Sequence, residues 1–189
     1  RCELPSSTVY ETFTHYVDNP FVRLISLMDH TPGQRQWRNL KHWRTFHSEK
    51  KWTDADARAV IDKRRFLKEK YAEFNRKGIL ECAEKNNLPV ASHDDTTEQH
   101  CIEAHESGIS ISEFPTTLEA AEKAKSLGMK AIMGAPNMVR GESHSGNISA
   151  ETLAEQNLMD GFSSDYMPIS LLHAAFEMHR RLHISLYKS

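Results

Sequence analysis

The chain has 189 residues, 39% of them hydrophobic and 26% charged, and a formal net charge of −2. That length supports one domain with a real core, and the near-neutral balance argues against a nucleic-acid surface or a polybasic membrane patch. Cys2, Cys82 and Cys101 form no CxxC pair and no apolar run reaches membrane-spanning length, which argues against a disulfide framework and makes a reducing cytoplasm the expected compartment.

Residues 1–4 read as the end of a strand. Pro5-Ser6-Ser7 then opens a helical stretch to about Val17, which Asp18-Asn19-Pro20 ends. Phe21 to Met28 is β-compatible and stops at the turn cluster Asp29-His30-Thr31-Pro32-Gly33. Residues 34–52 carry Gln, Arg, His and Trp without a clear period and read as a long loop, a kind of segment that is often functional. Residues 53–86 read as helix, with Val60, Leu67, Tyr71 and Phe74 near one stripe and a break expected near Gly78. The run Lys63-Arg64-Arg65 reads as the solvated face of that helix rather than as a phosphate patch.

The second half is more regular. Apolar runs end at His93-Asp94-Asp95, at Glu113, at Asn137 and at Ser164-Asp165, and a helical stretch follows each. Thr96-x-x-Gln99 and Thr116-x-x-Glu119 fit the capping-box pattern. Leu118, Ala121, Ala124 and Leu127 recur at helical spacing, Gly128 stands at a C-cap position, and Ser149 precedes another helical run. No internal repeat is expected. Alternating βα units build a parallel sheet, which presents its chemistry at the carboxyl ends of the strands. The expected fold is therefore α/β, a (βα) barrel carrying a metal-assisted hydrolase site.

The chain carries 11 histidines, a high count for a side chain that is both the usual nitrogen ligand for transition metals and the usual acid–base group near neutral pH. His93, at a strand end, suits a divalent metal, with Asp94 or Asp95 fixing its ring from behind. It could equally be a hydrogen-bonded structural histidine. Asp165 suits a ligand that also takes a proton from the attacking water, or else a plain helix cap. Glu113 could be a ligand, a base or the partner of a basic side chain; a helix dipole alone would also favour a carboxylate there. His30 could approach the metal and Glu3 could ligate it from the preceding strand. For phosphate, the loop of Arg140, Ser143, His144, Ser145, Gly146 and Asn147 offers backbone N–H groups, hydroxyls and a guanidinium, and Arg35 offers a bidentate clamp. The loop could also be plain Gly/Ser chain, because it lacks Walker spacing.

Several long words occur in one order: SLMDHTPGQRQ (26–36), ASHDDTTEQH (91–100), SEFPTTLEAA (112–121), GMKAIMGAPNMVRGESHSGN (128–147) and FSSDYMPISLLHAAF (162–176). Together they closely resemble the α-D-ribose 1-methylphosphonate 5-triphosphate diphosphatases of the carbon–phosphorus lyase pathway, within the amidohydrolase superfamily. The resemblance covers residues 1–182; residues 183–189 read as a tail unlike the family. It implies a partial, TIM-like (βα)8 barrel running from about strand three to strand eight, a middle fragment without the first-strand metal motif. It implies hydrolysis of a phosphorylated ribose triphosphate to a 5-phosphate and pyrophosphate, with a divalent metal, zinc ahead of manganese or iron. His93 matches the strand-five metal histidine and Asp165 the strand-eight aspartate, so both are expected in catalysis and ligation. Glu113 stands at the strand-six end, and Glu3 and His30 at the ends of strands three and four. Neither nucleic acid nor a membrane is expected as a partner, and self-association into a homo-oligomer remains open. The rival readings are a non-catalytic fragment that binds phosphate esters or a partner, and an amidohydrolase acting on a C–N bond.

Overall fold

The computed structural model describes residues 1–141 and 146–186. Six strands, β1 (Cys2–Glu3), β2 (Ile25–Met28), β3 (Val90–His93), β4 (Ile111–Glu113), β5 (Lys130–Gly134) and β6 (Gly161–Ser163), form one sheet in chain order. Every neighbouring pair is parallel. Helices alternate with them: α1 (Val9–Tyr16), α2 (Leu40–Phe46), α3 (Asp54–Lys85), α4 (Glu98–Glu106), α5 (Leu118–Ser126), α6 (Ala135–Arg140), α7 (Ala150–Glu155) and α8 (Ser170–Leu182). This is the α/β architecture that the alternating pattern predicts, and its open sheet is compatible with part of a barrel. All four residues of β3 are buried, as expected of a strand covered on both faces.

Two large clusters and a smaller one of Trp37, Trp43 and Ala57 make up the core among the described residues. One large cluster joins β1, β2 and β3 with α1, α3, α4 and α5 around Leu4, Phe13, Ile25, Leu27, Ile79 and Val90. The other joins α5 to α8 around Met133, Met138, Leu153 and Met178. Large apolar side chains stay exposed beside both edges of the sheet: Tyr16, Phe21 and Leu24 near β1, and Ile169, Leu172 and Phe176 on or beside α8. Beyond α8, Ile184 packs on the second cluster and its carbonyl lies 2.8 Å from His179 Nδ1. Residues 187–189 lie outside the described residues.

Four local expectations are corrected. Residues 34–52 are not a loop: they hold a 3-10 turn at Arg35–Trp37, then α2, then a second 3-10 turn at Ser48–Lys50. Trp37 and Trp43 are buried against Ala57, Val60 and Ile61 of α3, and that packing supplies the order that no sequence period announces. Helix α3 does not break at Gly78 but runs unbroken for 32 residues from a Thr53–Asp56 capping box. A Cβ at Gly78 would stand 2.6 Å from the ring of Tyr10, so glycine is there for the close approach of α1. The caps of α4 and α5 are Thr97 and Thr117, each one residue later than expected. Thr96 and Thr116 are buried instead, with their hydroxyls 2.8 Å apart.

The fourth correction is that a repeat does exist. Ser92-His93-Asp94 and Ser112-Glu113-Phe114 sit side by side in register, with Ser92 opposite Ser112 and His93 opposite Glu113. Asp94 and Phe114, each just past its strand, both take the left-handed backbone region, at φ 56° and 61°. Non-glycine residues held there collect at functional sites.

Candidate metal centre

Three side chains converge at the carboxyl ends of β2 and β3. One ligand atom from each of His30, His93 and Asp94 lies within 4.8 Å of the others. The rings are set by what holds their far nitrogens. His30 Nδ1 lies 2.6 Å from Glu3 Oε2, and the other oxygen of Glu3 accepts from the His30 backbone N–H at 2.9 Å. His93 Nδ1 lies 2.8 Å from Glu113 Oε2, which also accepts from Ser26 Oγ at 2.5 Å. A carboxylate can only accept, so each Nδ1 carries the proton and each Nε2 faces the opposite way. Both Nε2 atoms face Asp94 Oδ2, at 3.5 Å from His30 and 3.8 Å from His93.

That donor set fits a divalent transition metal. Ligands about 2.0–2.1 Å from tetrahedral zinc stand roughly 3.4 Å apart, close to the spacing between each ring and Asp94. Carboxylates behind ligating imidazoles are the usual means of fixing tautomer and orientation. The charges agree. Burial works against a charged His30, but Asp94 and Glu3 outweigh it and raise its pKa to about 10. Burial likewise opposes an ionised Glu113, but His93, Ser26 and Arg1 outweigh it and lower its pKa to about 2. Glu3 is also held below the usual range, His30 overcoming the cost of burial. A metal entering here must therefore displace a proton from His30.

The expected residues divide accordingly. His30 and His93 stand together with Asp94 at the strand ends. Glu3 and Glu113 are placed behind them, their oxygens committed to Nδ1 atoms. Asp94 stands in front, where the sequence reading had it steering His93 from behind. Asp95 is fully buried and accepts from Arg35 Nη1 at 2.9 Å, from Ser112 Oγ at 2.7 Å and from Ser92 Oγ. Asp165, at φ 50°, is not a cap of α8, which starts at Ser170. It lines the same cavity as the cluster without joining it and accepts from Arg1 Nη1 at 2.8 Å. Arg1 also donates to Glu113 Oε1 at 3.0 Å and lies 5.3 Å from the centre of the Phe114 ring.

The cavity has a volume of about 670 Å³. His30, His93, Asp94 and Asp165 line one side, and Arg64, Arg140, Trp37, Phe46, His47, Phe114 and Tyr166 complete most of the wall. Arg140, the last residue of α6, lines this cavity. Asn147 accepts from Arg38 Nη1 at 3.1 Å and lines a small adjoining cleft with Arg140, while Gly146 lies beside the His42 ring. Ser143, His144 and Ser145 lie outside the described residues. Arg35 turns away: its guanidinium donates to His93 O at 2.8 Å and to Asp95, and it lines a different cavity beside Lys68. The buried carboxylate claims the group that was expected to clamp phosphate. Sequence reasoning missed Ser26, whose bond to Glu113 depends on how β2, β3 and β4 pair, and it missed the cavity lining of Arg64 and the aromatic side chains, which depends on how α2 and α3 fold over the strand ends. The paired S-x-x-x-T-T words at 92 and 112 were the available signal for the Asp94 position.

Among the described residues no helix is long and apolar enough to cross a membrane, and the three cysteines are free. No family model matches the chain and no solved structure matches it significantly. A curated protein of Escherichia coli (strain K12), an alpha-D-ribose 1-methylphosphonate 5-triphosphate diphosphatase, is 45% identical over 179 residues. The match takes in 94% of this chain and 47% of that relative, so the chain spans about half of the relative's length. The family that the sequence words resemble is thus also the family of this relative, and the chain is related to that diphosphatase over nearly all of its own length.

Proposed function

We propose that this chain carries the metal-binding portion of a hydrolase that cuts α-D-ribose 1-methylphosphonate 5-triphosphate into the 5-phosphate and pyrophosphate, in phosphonate catabolism. The reading includes a TIM-like barrel of the amidohydrolase type, a small phosphorylated ribose as substrate and a cytoplasmic setting. The observation that carries it is the pair of imidazoles whose Nδ1 atoms are tied to Glu113 and Glu3 and whose Nε2 atoms face Asp94. The named activity of the Escherichia coli relative supports the substrate class.

A divalent metal, zinc by the character of two nitrogens and one oxygen and manganese or iron as alternatives, would supply Lewis acidity toward the phosphoryl oxygens and the attacking water. His30, His93 and Asp94 would hold it. Glu3 and Glu113 keep both rings in the ligating tautomer. Asp165 accepts a proton from water as its oxygen bonds to the phosphorus nearest the ribose, and the bond from that phosphorus to the pyrophosphate oxygen breaks. Arg140 and the loop through Asn147 take up the negative charge that leaves. Such catalysis is chiefly positioning and charge stabilisation. Pyrophosphate release from the triphosphate ester by the zinc-loaded chain, beside Asp165→Asn, tests the reading. Equal rates for the two proteins would remove Asp165 from it, and no release with zinc, manganese or iron would remove the activity.

A further inference from the structure

We propose that Arg64 and the aromatic segment of residues 36–47 form the polyphosphate-binding wall of this cavity, with Arg64 as the cation that receives the phosphates farthest from the metal centre. The inference deepens the reading above and rests on it. The sequence alone assigns Arg64 to a solvated helix face, and the tertiary structure changes its surroundings. Val60 and Ile61 of α3 pack against the cluster of Trp37, Trp43 and Trp52. Arg64 follows at helical spacings of three and four residues, so it emerges on the same face one turn later, where α3 passes the cavity.

Its charge is not spoken for. Arg1 is paired with Glu113 and Asp165, and Arg35 with Asp95. Arg64 has no ion pair or hydrogen bond among the described residues, although it lines the cavity that contains His30, His93 and Asp94. Two further groups prepare the wall beside it. His47 donates through Nδ1 to Trp43 O at 2.9 Å, and its ring lies against Trp43 and Trp52. Gln36 makes no side-chain hydrogen bond among the described residues and lines both this cavity and the adjoining cleft that Arg140 lines. Arg64 on α3 and Arg140 at the end of α6 therefore contribute cations to one cavity from separate elements. A bound triphosphate carries several charges and needs more than one cation once its bridging bond breaks, and a guanidinium offers paired N–H donors to phosphate oxygens.

The test is a titration of the metal-free chain with inorganic tripolyphosphate, followed by tryptophan fluorescence, because Trp37 lines the cavity. Arg64→Ala, Arg64→Lys and the control Arg58→Ala, an exposed position on the same helix, are compared with the unaltered chain, and zinc affinity is measured separately on each protein. The expected result is a loss of about tenfold in tripolyphosphate affinity for Arg64→Ala, a smaller loss for Arg64→Lys, none for Arg58→Ala, and unchanged zinc binding throughout. A shallower salt dependence for Arg64→Ala would accompany the loss, because one phosphate contact is gone. Tripolyphosphate affinity within twofold of the unaltered chain for Arg64→Ala, or no binding by any protein, overturns the inference while zinc binding leaves the metal centre intact. Failure of every protein to bind zinc, with a selective Arg64 effect on tripolyphosphate, would instead strike the metal reading and keep the phosphate wall.

Discussion

Two consecutive βα units make opposite use of one backbone. In β3–α4 and β4–α5, matched positions lie 20 residues apart. Both units have a serine on the strand, a left-handed residue just past it and a threonine cap, at Thr97 and Thr117. Both bury an alanine in the helix, Ala104 and Ala124, and both close on a glycine of positive φ, Gly108 at 78° and Gly128 at 74°. Between the strand serine and the paired threonines the two units differ at three adjacent places. His93-Asp94-Asp95 of the first unit become Glu113-Phe114-Pro115 in the second. The first unit thus presents ligating atoms, and the second presents the carboxylate that orients them and an aromatic ring 5.1 Å from His93. The scaffold is common to both, and the chemistry lies in the few side chains that leave it.

The sharpest way to break this comparison is at its third position. Asp95→Ala would take the fully buried carboxylate from the half-buried Arg35 and from the hydroxyls of Ser92 and Ser112, so a loss of about 3–5 kcal/mol in urea unfolding is expected. Pro115→Ala at the matched place should cost about 1 kcal/mol or less, because no ion pair is lost there. Equal losses would mean that the buried carboxylate does not distinguish the units.

The second position separates ligand from wall. Asp94→Ala should lower zinc affinity more than about 100-fold by calorimetry, and Phe114→Leu by less than about threefold, since one removes a donor and the other only a neighbouring ring. The first position separates ligand from support. Glu113→Gln keeps the shape but weakens the hold on His93, and a loss of about 10–100-fold in zinc affinity is expected. A loss as large as that of Asp94→Ala would put Glu113 among the ligands after all.

Proton competition gives a smaller, graded effect. His30 has its pKa raised to about 10 in the metal-free chain, so one proton must leave as the metal enters. Zinc affinity should then rise by about tenfold per pH unit between pH 7 and 9, with proton uptake by the buffer. In the absence of metal the sign of stability is opposite. The contribution of the protonated ring is complete below its ordinary value of 6.5 and is lost as pH rises toward about 10. The unfolding midpoint followed against pH in His30→Gln should lack that fall. The smallest effect checks the likeness of the units: Gly108→Ala and Gly128→Ala should each cost about 1 kcal/mol, because both need φ above zero and neither has a neighbour within 4 Å of the added carbon.

Much was determined by sequence alone. Local rules act within a few residues, so the βα alternation, the strand ends at His93 and Glu113 and the cap at Ser149 could be read directly, while β6 stops at Ser163, two residues before Asp165. The ordered words at 26–36, 91–100, 112–121, 128–147 and 162–176 carried the family resemblance. What only the tertiary structure decided are the roles across elements. Whether Glu113 ligates or orients depends on which nitrogen of His93 it reaches across the sheet, and Arg35 was lost to phosphate because Asp95 lies buried beneath it. Residues 34–52 gained order only from the face of α3, and Arg64 acquired a cavity from the same packing. A side chain's chemical type is written in the chain, but the atom it faces is set by the distance and direction at which separate strands and helices meet.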